Sequence, residues 1–178
     1  MGPESDRVEP GDIAPDFQRP GVDRGEFAMY DLHRVLEYGE AVLLVFAPTD
    51  FLKLPTDTFI AFGDRGWTNR QGLTIWGLTG DSIFSHHQYA AEYDLDLALL
   101  SDFHTGAASN YGLAIDNWEG HGTTPSWAWV FIDGDWVVRR VWESPPTPNW
   151  ELPPVGLFID AIAEHTNIHL DPLDLAVE

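Results

Sequence analysis

The chain has 178 residues, with 29 Asp or Glu against 9 Lys or Arg, a formal net charge of −20 at pH 7, and no cysteine. The missing sulfur excludes disulfides, thiolate metal sites, iron–sulfur clusters and a cysteine nucleophile, and with Lys53 as the only lysine there is no phosphate-neutralising surface for nucleic acid. Because 44% of residues are hydrophobic and 13% aromatic, the acidity is not that of a disordered chain, and a single folded domain over 1–178 is expected, with short irregular tails at about 1–9 and 168–178.

In chain order, Gly11-Asp-Ile-Ala-Pro-Asp-Phe17 reads as an extended lead-in and Gly25-Glu-Phe-Ala-Met-Tyr30 as a short strand. Leu32 to Tyr38 makes a short helix that Gly39 stops. Ala41 to Phe46 is a continuous apolar run ended by Pro48, the pattern of a strand buried on both faces. A helix is predicted over Thr56 to Trp67, with Phe59, Phe62 and Trp67 on its buried side. Leu73 to Leu78 is a second buried strand, Ser82 caps a helix running to Tyr93, and Leu97 to Leu100 is a third strand. A short helix follows at Gly106 to Tyr111. Trp127 to Ile132 and Trp136 to Trp142 flank an Asp133-Gly134-Asp135 turn and form a hairpin, and a Pro-rich loop leads to a last helix near Val155 to Glu164. Strands alternating with helices require a sheet covered on both faces, to which the hairpin adds antiparallel strands: a mixed α/β sandwich.

An aromatic-rich core under an almost lysine-free surface suits molar salt, where the Debye length falls to about 3 Å and self-repulsion is screened. The acids are spread from Glu4 to Glu178 without a long run, which favours adaptation to salt over an acidic face built for one basic partner. The first residues lack a basic and apolar leader pattern, and the longest apolar stretch, Ala41 to Pro48, falls far short of the roughly 20 residues a membrane helix needs. The expected place is the cytoplasm, with no membrane and no nucleic-acid partner.

The chain carries, in order, Gly11-Asp-Ile-Ala-Pro-Asp-Phe17, Val42-Leu-Leu-Val-Phe46, Gly77-Leu-Thr-Gly-Asp81-Ser-Ile-Phe-Ser-His86, Leu99-Leu-Ser-Asp102, Asn110-Tyr-Gly112 and Val130-Phe-Ile-Asp133. Through these motifs, over roughly residues 10 to 165, it resembles the peroxiredoxins (the AhpC/TSA or redoxin family of the thioredoxin-like superfamily). The resemblance implies a thioredoxin-like three-layer α/β/α sandwich with a mixed central sheet. It also marks an active-site loop, Pro-x-x-x-Thr-x-x-Cys, that falls on Pro48-Thr-Asp-Phe-Leu52-Lys-Leu-Pro55. Only Pro48 matches: Leu52 stands at the threonine position, Pro55 at the peroxidatic cysteine position, and Trp127 at the position of the family's arginine. Peroxide reduction needs a thiolate activated by a helix N-terminus and a cation, with a hydroxyl and a guanidinium holding the peroxide oxygens. The thiolate, the hydroxyl and the guanidinium are not supplied, so no catalytic residue is assigned and the old pocket is expected to be apolar and plugged, or else remodelled for a different ligand.

In such a fold the loops after the parallel strands share one rim, which would gather Pro48 to Pro55, Asp81, Asp102, His104 and His121. Two carboxylates and two imidazoles are a conceivable set for zinc or another divalent ion, yet their spacing is no ligand signature; no cofactor is expected, and Asp81 and Asp102 have a simpler role as caps of the helices that follow. His86 and His87 point about 100° apart on a helix, so one packs and the other faces solvent. No Gly-x-Ser-x-Gly elbow surrounds Ser101 or Ser126. The spacing of two puts Trp127 and Trp129 on one strand face and Ala128 and Val130 on the other. Trp118, Trp127 and Trp150 are the candidates for an aromatic patch that takes a ligand or partner.

The expected function is therefore a peroxiredoxin-like protein without peroxidase chemistry that acts by binding, as a homodimer or with a cysteine-containing relative. The alternatives are a redox or metal-dependent enzyme using Asp81, Asp102, His104 or His121, and a small-molecule binder with an apolar pocket between Leu52, Pro55 and Trp127.

Overall fold

The computed structural model describes residues 6–145 and 150–176. In chain order its elements are β1 (Gln18–Asp23), β2 (Glu26–Asp31), α1 (Leu32–Glu37), β3 (Ala41–Ala47), α2 (Lys53–Asp64), β4 (Leu73–Thr79), α3 (Ile83–Tyr93), β5 (Ala98–Ser101), α4 (Gly106–Asn110), β6 (Ala114–Ile115), β7 (Thr124–Pro125), β8 (Ala128–Ile132), β9 (Val138–Glu143) and α5 (Val155–Thr166). A 7-stranded sheet runs β2-β1-β5-β4-β3-β8-β9, and β6 pairs with β7 separately. Strands β3, β4 and β5 are parallel, while β1, β2, β8 and β9 join antiparallel.

The apolar run of β3 explains its central place, since every residue from Ala41 to Ala47 is buried. Alternation sends Leu43 and Val45 to one face, with Phe59 and Phe62 of α2, Tyr89 of α3 and Phe158 and Ile162 of α5. Val42, Leu44 and Phe46 go to the other, with Leu32 and Leu36 of α1 and Ala107 and Ala108 of α4. Trp127, Trp129 and Phe131 share the first face and Ala128, Val130 and Ile132 the second, as the spacing of two requires. Each fully buried large side chain contributes about 1.5–3 kcal/mol, so the two layers together supply the main stabilisation. The result is the expected three-layer α/β/α sandwich with a mixed sheet.

Several local expectations are corrected. Strand β1 has no counterpart in the sequence reading, because Pro20 and Gly21 interrupt its pattern. It forms a hairpin with β2 through Arg24 (φ 51°) and Gly25 (φ 83°), a two-residue turn with both central residues left-handed. Gly21 is needed there, since a Cβ would sit 2.8 Å from the Leu99 carbonyl oxygen and 2.9 Å from the Tyr30 ring. Helix α2 starts at Lys53, placing Pro55 in the first turn, where a missing N–H costs no helical hydrogen bond. It ends at Asp64, and Trp67 lies in a separate 3₁₀ turn, Trp67–Asn69, entered through Gly66. Strand β9 begins at Val138, because Asp133 accepts the N–H groups of Asp135 and Val137 and holds Trp136 in the turn.

The segment after α5 has no helix or strand through residue 176, yet Ile168 and Leu170 are buried and the Trp67 indole donates to the Asp171 carbonyl at 2.8 Å. At the other end Val8 is buried and its N–H reaches Tyr111 O. These parts of the expected tails are packed against the domain. Among the described residues no helix is long and apolar enough to cross a membrane.

Candidate functional site

Strands β3, β4 and β5 end on one rim at Ala47, Thr79 and Ser101, and β8 starts beside the end of β3, Phe46 pairing with Ala128. The loop from Pro48 to Leu52 leaves β3 there and enters α2 without a side-chain cap. Its position is set by hydrogen bonds: Gly80 N–H donates to Pro48 O at 3.1 Å, and Asp50 N–H donates to Asp81 Oδ2 at 2.7 Å.

The positions marked by the resemblance are apolar and withdrawn from solvent. Pro48 and Pro55 are buried and Leu52 is half-buried. Thr56, next to Pro55, donates to Leu52 O and accepts the Tyr89 hydroxyl at 2.6 Å, and the Phe51 ring lies 4.7 Å from that of Tyr89. Burial raises the Tyr89 phenol far above its ordinary range, so it remains a donor. Trp127 is fully buried, its indole N–H spent on Glu151 O at 3.1 Å and its ring wedged edge-on between Trp129 and Trp142. Trp127 is therefore withdrawn from solvent and is not part of an exposed aromatic patch.

The other two tryptophans do meet. Trp118 and Trp150 are half-buried with ring centroids 6.3 Å apart, and His121 stacks on Trp118 at 5.3 Å. The intervening loop is held in an unusual shape by left-handed Asn117, Glu119, Gly120 and Gly122.

Asp81, Asp102, His104 and His121 do not converge on one point. Asp102 is buried and spends its carboxylate on the N–H groups of Ala107 and Ala108 and on Arg19 Nε; it satisfies the first turn of α4 from before the N-cap position, which Thr105 occupies. Asp81 does not cap α3, contrary to expectation, because Ser82 accepts Ser85 N–H and Asp81 turns to Asp50 instead. Burial raises the Asp81 carboxyl above its ordinary value against the lowering effects of the Asp50 N–H bond, His86 and His121. His104 is exposed beside Phe103. No group of three or more His, Cys, Asp or Glu among the described residues is placed to hold a metal ion.

Sequence reasoning missed a buried polar cluster under this rim. His86, wholly buried, lies with Nδ1 2.8 Å from Asp50 Oδ2 and Nε2 3.0 Å from Leu100 O, while exposed His87 stacks on Phe27. Asp50 also accepts the hydroxyls of Thr79 and Ser85, both at 2.8 Å. A carbonyl only accepts, so Nε2 donates to Leu100 O, which leaves Nδ1 to share its hydrogen bond with Asp50 Oδ2. The cluster ties the loop after β3 to the ends of β4 and β5 and to α3. Its sequence signal was the spacing of His86 and Tyr89 on the buried stripe of a helix, where an imidazole requires partners.

Comparison with known proteins agrees with this architecture. The model of the AhpC/TSA family matches residues 10–141. The chain is 29% identical over 143 residues to the peroxiredoxin-type protein bcp of Coxiella burnetii, covering 76% of this chain and 88% of that one. It is 30% identical over 112 residues to the chloroplastic peroxiredoxin Q of Sedum lineare, covering 62% and 59%. Among solved structures, the reduced 2-Cys peroxiredoxin of Plasmodium vivax superposes with a TM-score of 0.73 at 22% identity, over 90% of this chain and all of that one, a likeness of fold.

Proposed function

The chain belongs to the AhpC/TSA family, and we propose that it is a peroxiredoxin-like member that has lost thiol peroxidase chemistry and acts by binding, in the cytoplasm of a salt-rich cell. The observation that carries this reading is the pair of buried apolar residues Pro55 and Trp127 at the positions of the cysteine and the arginine. Proline offers no nucleophile, Leu52 no hydroxyl, and the one indole donor of Trp127 is already engaged. Peroxide reduction has no substitute for the thiolate that attacks the O–O bond.

The binding face in this reading is the edge formed by Trp118, His121 and Trp150, since paired indoles provide large contact area at small cost in side-chain entropy. Its occupant is a protein, either a second copy of the chain or a cysteine-containing relative. Peroxide consumption with dithiothreitol as reductant in molar KCl is expected to equal the blank without protein, and turnover above the blank overturns the lost chemistry. Sedimentation of the chain alone and mixed with such a relative is expected to show association that Trp118→Ala and Trp150→Ala weaken. Association unchanged in both variants rejects this face.

A further inference from the structure

At the opposite end of the sheet from the rim, a cavity of about 450 Å³ opens among the turn before β4, the β8–β9 turn, β9 and the last turn of α5. Its polar lining is Gln71, Asp133, Asp135, Arg139, His165 and Thr166, and Gly134 lines it as well. Asp133 is buried and accepts three donors: Asp135 N–H at 2.9 Å, Val137 N–H at 3.1 Å and Arg139 Nε at 2.6 Å. Burial opposes ionisation of this carboxyl, but the Arg139 bond and the two amides outweigh it and hold it below its ordinary value. The carboxylate thus holds three donors and acts as a clamp on Nε. The two Nη groups of Arg139 have no hydrogen-bond partner among the described residues, nor do the side chains of Gln71, His165 and Asp135.

We propose that this cavity binds a small zwitterion of the α-amino acid class, its carboxylate on the free edge of Arg139 and its ammonium on Asp135. A guanidinium fixed at Nε presents its remaining N–H groups as a fork, the geometry that takes a planar carboxylate in two hydrogen bonds. Asp135 is exposed and leaves a negative charge in the same cavity. A simple anion meets both that charge and the field of a chain carrying −20, whereas a zwitterion has no net charge to repel and carries one group of each sign for a cavity lined by one of each. Gln71 and His165 are then left to a polar side chain of the ligand, and the volume lies within the range of small-molecule pockets, roughly 300–1,000 Å³. The cavity is remote from Trp118 and Trp150, so this proposal stands or falls independently of the binding face above.

The test is a nuclear magnetic resonance titration of the full chain, in the salt that keeps it folded, with each L-amino acid and with its N-acetyl and carboxamide derivatives. At least one amino acid is expected to shift the signals of Gln71, Gly134 and His165, with both derivatives about tenfold weaker or more. Asp135→Asn, an exposed substitution, is expected to abolish discrimination against the N-acetyl form, and Arg139→Gln discrimination against the carboxamide. No shift at about 10 mM of any amino acid, or affinities indifferent to both derivatives in the native chain, overturns the proposal.

Discussion

His86 Nδ1 and Asp50 Oδ2 lie 2.8 Å apart with both side chains out of contact with solvent, and together they join the loop after β3 to the helix beneath it. Removing one partner leaves buried polar atoms of the other without their hydrogen bond, at a cost of about 1–3 kcal/mol. His86→Leu is therefore expected to destabilise the domain by about that amount in urea denaturation at high KCl. The double substitution Asp50→Asn with His86→Leu is expected to cost less than the sum of the two single losses, because the hydrogen bond they share is lost only once. Strictly additive losses would contradict the pairing.

Trp127 and Trp118 provide a second contrast. Trp127→Ala opens a cavity in the layer shared with Trp129 and Trp142, and a loss of about 3–5 kcal/mol is expected. Trp118→Ala, at the half-buried edge, is expected to cost about 1 kcal/mol or less. Denaturation curves of the two variants, read by circular dichroism, decide whether Trp127 is core and Trp118 is surface.

The raised Asp81 carboxyl has a defined pH signature. In the folded state it holds its proton to higher pH than its ordinary value of 3.8, so the folded protein binds more protons and its contribution to stability falls as pH rises above about 4 through the folded value. Asp81→Asn keeps an oxygen for Asp50 N–H and removes the titration. The variant is expected to gain on the native chain as pH rises from about 4 to 7, by on the order of a degree or two in Tm. Asp133 has the opposite sign: its lowered carboxyl contributes stability above the ordinary value that is lost as pH falls below it. Thermal melts of Asp81→Asn that parallel the native chain across this range would remove Asp81 from the account.

The charge of −20 predicts a strong dependence on salt. Raising KCl from about 0.05 M to 2 M shortens the Debye length from roughly 14 Å to 2 Å, which screens repulsion between surface carboxylates. Tm is expected to rise steadily over that series. A flat or falling series would reject adaptation to salt and favour an acidic face matched to a basic partner.

Most of the architecture was legible because it rests on local patterns. The apolar run at Ala41–Ala47, the Ser82 cap, the turn at Asp133 and the alternation from Trp127 to Ile132 are each decided by neighbours in the chain. Strand β1 was not, since Pro20 and Gly21 hide its period and Gly21 answers to Leu99, far away in sequence. The separation of Trp67 from α2 depended on a left-handed Gly66 that helical spacing does not reveal.

The same division runs through the candidate site. That no thiolate chemistry is available was determined by composition alone, because a residue type that is absent cannot be brought in by folding. Which of the remaining polar residues meet was decided only by the tertiary structure. Asp50 and His86 are brought together by the crossing of a loop over a helix, and Trp127 is removed from the surface by packing against Trp129 and Trp142. Sequence spacing constrains only residues on one element, whereas contact between elements depends on how the layers pack, and that is a property of the whole core.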